Sequence, residues 1–130
     1  MPSEILEVQK ALYAAADAVL SVPVFDTWGA ADGTSPPYVC LETFMARAAD
    51  SKAEVGSNVW ARFHVFSAKN GRSEAALITE QIRAALHRAD VPVPGFSVTW
   101  CRHEDTTASD DPGGTSQLIS TYTLHLNPAP

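Results

Sequence analysis

Residues 58–68 read Asn-Val-Trp-Ala-Arg-Phe-His-Val-Phe-Ser-Ala, and this alternation constrains the fold more than any other stretch. Side chains on an extended chain point to opposite sides in turn. Val59, Ala61, Phe63 and Val65 therefore share one side, and Trp60, Arg62, His64 and Phe66 share the other. A helix would scatter both sets around its circumference. A strand this long needs neighbours to complete its hydrogen bonds and a layer of structure to cover its apolar side.

The neighbours are legible. Residues 38–45 (Tyr-Val-Cys-Leu-Glu-Thr-Phe-Met), 96–104 and 117–126 have strand character, and 24–26 forms a short extended piece. Residues 3–21 predict a helix, with Ile5, Val8, Leu12, Ala16 and Val19 at helical spacing, Ser3 as cap and Glu4 favoured in the first turn. Residues 73–89 predict a second helix, with Leu77 or Ile78, Ile82, Ala85, Leu86 and Ala89 along one face. Asn70-Gly71 marks the turn into it, and the run Val91-Pro92-Val93-Pro94-Gly95 marks its end. Residues 27–37, with two glycines and two prolines, read as a loop, and 46–56 as a polar, alanine-rich connection.

The expected fold class is α+β. A mainly antiparallel sheet of four long strands plus a short one carries two α-helices on one face. A length of 130 residues fits one domain, 1–130. Alternation assigns Val39, Leu41, Val59, Ala61, Phe63, Val65, Phe96, Val98, Trp100, Leu124 and Leu126 to the face under the helices. It assigns Tyr38, Phe44, Trp60, Arg62, His64, Phe66, Thr99 and Cys101 to the other. The second set mixes aromatic and polar groups as protein interfaces do. Either a partner or the chain's own loops cover it. Trp60, Arg62, His64 and Phe66 are the candidate subunit interface.

The formal net charge is −6, and the nine basic residues do not cluster. A nucleic-acid binder shows a basic face, so specific phosphate binding is not expected. Acidic residues gather near one turn: Asp105, then Asp110 and Asp111 before Pro112-Gly113-Gly114, predicting a mobile acidic hairpin loop over 106–116. No apolar run approaches the ~20 residues of a membrane helix. The start, Met1-Pro2-Ser3-Glu4, lacks the basic and apolar regions of a signal peptide, which predicts a cytoplasmic chain with Cys40 and Cys101 reduced.

Catalytic and metal signatures are weak. Cys101 and His103 alternate on one strand and His64 lies on another, but the paired spacing of zinc sites is missing. Ser67, His64 and Asp26 supply the residue types of a nucleophilic triad without a nucleophile-elbow pattern around the serine. No glycine-rich segment has the strand-to-helix context of a phosphate loop, apart from Asn70-Gly71, which a tight turn explains. No cofactor, metal or catalytic residue is expected.

The order of segments resembles a known family. Leu12-Tyr13 runs into Val22-Pro23-Val24-Phe25-Asp26, and a proline-rich loop enters Pro37-Tyr38-Val39. Phe63-His64-Val65-Phe66-Ser67 follows, then Asn70-Gly71-Arg72-Ser73-Glu74-Ala75, opening a helix that ends Ala84-Ala85-Leu86. This succession resembles the small tail-completion, or tail-terminator, proteins of long-tailed phages and gene transfer agents. After Pro37-Tyr38-Val39 the resemblance expects a small residue, often glycine, where this chain has Cys40.

The resemblance implies structural work. Copies form a ring, usually of six, on the end of the tail tube; the ring stops tube growth and meets the head connector, with DNA passing through its lumen. It implies assembly in the cytoplasm and a final place at the head–tail junction, with no catalytic residues. Competing readings are a head-completion or neck protein, a small enzyme using His64, Cys101 and His103, and a ligand-binding module on the exposed sheet face.

Overall fold

The computed structural model describes residues 3–26, 34–68, 72–110 and 116–129. Helix α1 (Glu4–Val19) opens on Ser3, whose hydroxyl accepts from the Leu6 amide at 3.2 Å, with Glu4 and Glu7 in the first turn. Strand β1 (Val24–Asp26) follows, then β2 (Tyr38–Ala48), β3 (Ser57–Ser67), α2 (Ser73–Leu86), β4 (Phe96–Asp110) and β5 (Ser116–Pro128). The five strands form one sheet in the order β1-β2-β3-β5-β4. Strand β1 runs parallel to β2, and every other pair is antiparallel. Helix α1 lies over β1, β2 and β3, and α2 over β3, β5 and β4, so both helices cover the same face. The expected fold class holds, and β3 falls within one residue of its predicted bounds.

The core forms where the helix stripes meet the sheet. Val8, Leu12 and Ala16 of α1 and Ala75, Ile78, Ile82 and Leu86 of α2 pack on Val39, Leu41, Val59, Ala61, Phe63, Val65, Tyr122, Leu124 and Leu126. The apolar stripe of α1 is shorter than its spacing suggests, because Ile5 and Val19 at its two ends are exposed. On α2, Ile78 points inward and Leu77 is 69% exposed. That helix stops at Leu86, short of Ala89, because Arg88 takes a left-handed φ of 61° and donates its amide to the Cys101 carbonyl of β4. Gly95, at φ 84°, makes the turn into β4 that a side chain would strain.

Strand β4 departs from the simple alternation. Val98 pairs with Leu126, but Trp100 pairs with His125, so Thr99 is an extra residue in a β-bulge. One inserted residue sends every later side chain to the opposite face. Trp100, expected under the helices, therefore lies on the other face, and Cys101, expected opposite, is fully buried in the core. A second bulge, at Glu104, restores the original parity from Asp105 onward. Strand β2 passes through Cys40 without interruption, and its bulge falls between Thr43 and Met45.

Strand β4 also continues through Asp110, correcting the loop predicted from residue 106. Asp105 pairs with Thr121 and Asp110 with Ser116. Ladder pairing with β5 holds this polar, exposed segment extended. Asp111, and with it the centre of the expected acidic loop, lies outside the described residues, as does the Asn70-Gly71 turn.

Candidate assembly interface

Among the described residues no helix or strand covers the second sheet face. Its lower half is a set of aromatic and guanidinium contacts. Trp60 and Met45 are opposite one another, as are Arg62 and Glu42. The Arg62 guanidinium lies 4.0 Å from the Phe44 ring centre and 3.7 Å from the Glu42 carboxylate. The Arg47 guanidinium stands 5.7 Å from Trp60. On β4, Arg102 stacks over Trp100 at 3.8 Å, and Trp100 stacks on His125 at 5.7 Å and 23°. Asn58 and His125 share a hydrogen bond of 2.7 Å. These cation–π contacts hold flat, partly exposed surfaces in fixed positions. Trp60, Arg62, Phe44 and Trp100 are all half-buried, so each keeps area for a partner.

The upper half is different. His64 lies between Cys40 on β2 and Ile119 on β5 and is only 7% exposed. The Gln117 side-chain amide donates to its Nδ1 at 2.9 Å, which requires that nitrogen unprotonated. Burial pushes the His64 pKa down, against the Glu42 carboxylate, with Arg62 lowering it further. Phe66 stacks on Tyr38 at 4.9 Å, and Phe25 packs edge-on to Tyr38. Of the four predicted interface residues, Trp60, Arg62 and Phe66 are half-buried, and His64 belongs to the sheet's interior.

The chemistry considered for His64, Cys101 and His103 is separated by the sheet. Cys101 and His103 face α2, where His103 packs edge-on to Tyr122 at 5.4 Å and its amide donates to His87 Nδ1 at 3.0 Å. His64 faces the other way. Burial pushes the Cys101 thiol up to about 12 and also raises that of Cys40, so neither forms a thiolate near neutral pH. Both cysteines are free and buried. Among the described residues no cluster of three metal-binding side chains exists, and no helix is long and apolar enough to cross a membrane.

Gln9 is a polar anchor that apolar periodicity passed over. It is buried on α1, donating to the Leu41 carbonyl at 3.0 Å and to the Asp26 carboxylate, and accepting from the Thr43 hydroxyl. One side chain thereby ties α1 to both β1 and β2. The signal in the sequence is its place beside Val8, on the stripe that leads to Leu12. A groove of about 480 Å³ opens next to it, lined by Gln9, Lys10, Tyr13, Val24, Phe25 and Asp26.

Comparison with known proteins decides what such a scaffold is for. Residues 7–124 match the family described as tail completion protein gp17. The chain belongs to that family. As a member it is a structural component of a phage-type tail, and its work is assembly and not catalysis. Among solved structures, it resembles a chain of the virion of a native gene transfer agent particle, at 15% sequence identity and a TM-score of 0.81. The likeness covers 97% of this chain and 99% of that one, so the two share a fold from end to end. A search of curated proteins by sequence gives no significant match.

Proposed function

We infer that this chain is the terminator of its tail, closing as a ring on the finished tube, stopping tube growth and presenting a surface to the head connector. The observation that carries this reading is the tail-completion family match over residues 7–124. The half-buried patch of Trp60, Arg62, Phe44 and Trp100 supports it, since an assembling subunit needs a pre-formed surface with aromatic and arginine anchors. The net charge of −6 suits a lumen through which DNA passes without being held. In this reading the Trp60–Arg62 face meets another subunit of the particle.

The test is Trp60→Ala in the intact chain. Aromatic anchors cost about 2 kcal/mol or more when truncated at an interface. The variant is expected to keep native circular dichroism and to yield tails of uncontrolled length, or tails without heads, in electron micrographs. Normal particles from the folded variant would remove the face from the interface. Tails of normal length that fail only at head attachment would make the chain a neck component and not a terminator.

A further inference from the structure

We propose that copies of this chain join laterally by strand addition, the outer edge of β4 on one copy pairing antiparallel with the β1 edge of the next. The proposal rests on the ring reading above and specifies the contact that closes the ring. It begins with the two edges of the sheet. Among the described residues, β4 is bonded only to β5, and β1 only to β2. Beyond Leu41, no described strand pairs with β2 on the β1 side. Among the described residues, both margins therefore carry backbone groups with no strand partner, which is a template for another strand.

Direction and level match. Strand β1 is parallel to β2, and three antiparallel steps then separate β2 from β4, so β4 runs opposite to β1. A copy rotated about an axis along the strands brings its β4 antiparallel to the neighbour's β1. The rows of the sheet place Phe25, Cys40, His64, Ile119 and Thr107 at one height. The segment of β4 that meets β1 is then Asp105–Asp110, which lies past both bulges and pairs regularly with β5. Such a contact is head-to-tail, the type that closes rings when its rotation closes.

The surroundings of the two edges fit each other. Residues 104–109 are exposed on both faces of the strand. The groove of Gln9, Lys10 and Tyr13 lies on the helix side just outside β1, where the next strand's inward residues fall. Ala108 sits at the height of Val24 and is small enough to enter it. At about 4.8 Å per strand, six copies of a five-strand sheet close a wall about 45 Å across, wide enough for a DNA duplex.

The experiment uses the full chain with Cys40→Ser, since Cys40 neighbours Phe25, and the remaining Cys101 is buried. Phe25→Cys is combined in turn with Asp105→Cys, Thr107→Cys and Ser109→Cys, which cover the register shift that strand tilt introduces. Under oxidation, one pair is expected to give a ladder of linked copies up to the ring on non-reducing gels. A separate variant, Ala108→Arg, sits at an exposed position and should keep native circular dichroism while lowering the ring population in native mass spectra by at least about tenfold. Rings that form without a cross-link from any pair, and that tolerate Ala108→Arg, overturn edge pairing and leave the terminator reading standing. Wild-type chain that forms no closed ring, free or on tail tubes, overturns both.

Discussion

Replacing Gln9 with Ala should loosen the free edge of the sheet by a calculable amount. The change removes three hydrogen bonds, to the Leu41 carbonyl, the Asp26 carboxylate and the Thr43 hydroxyl. Each neutral bond contributes about 1 kcal/mol net. The Asp26 bond is charged and intrinsically stronger, but Asp26 is exposed and regains water, so about 1 kcal/mol is a fair value there too. The expected loss is about 3 kcal/mol, which for a chain of this size lowers the melting temperature by about 10 °C. Urea unfolding followed by circular dichroism measures the first quantity and calorimetry the second. Gln9→Met separates the causes, because it keeps the packed stem and deletes the polar group. It should recover little of the loss, and amide exchange at Phe25 and Asp26 should quicken in both variants. A loss under about 0.5 kcal/mol in Gln9→Met would refute the reasoning, since hydrogen bonding would then contribute nothing measurable.

His64 and His103 are both held below the ordinary histidine range, chiefly by burial. A base with a depressed folded pKa adds stability that is complete above the unfolded value, near 6.5, and is lost as pH falls through the folded one. Urea midpoints should therefore fall on going from pH 7.5 to 5.5, and His64→Gln should flatten that slope. Gly56→Ala should destabilise by about 1–3 kcal/mol in the same assay, because the new methyl would meet the Ala49 carbonyl at 2.9 Å and His125 Cε1 at 3.1 Å. An unchanged midpoint would show that the β2–β3 connection relaxes freely.

Fold class, element order and the face of β3 were readable because period-two and helical patterns there run without interruption. The limits came from local events that the pattern does not encode. Leu77 and Ile78 are equally apolar, and only packing against the sheet chose Ile78. Trp100 and Cys101 exchanged faces because of the extra residue at Thr99, and a bulge has no apolar signature. Residues 105–110 looked like loop because their strand state is imposed by β5 and not by their own hydrophobicity. At the candidate interface, Trp60 and Arg62 were visible as large groups on the less apolar side. The burial of His64 was not, since it depends on the flanking Cys40 and Ile119.

The paired bulges of β4 act on side-chain direction as two compensating insertions act on a reading frame. Between Thr99 and Glu104 the frame is shifted; outside them it is restored. Deleting either bulge residue would remove its kink and leave the facing of every other side chain intact. Deleting any residue from a regular stretch of β3 would turn the core side chains of that strand beyond the deletion to the other face. Positions 99 and 104 are therefore where β4 has slack in its length. A designer wishing to shorten or lengthen that edge by one residue should begin there.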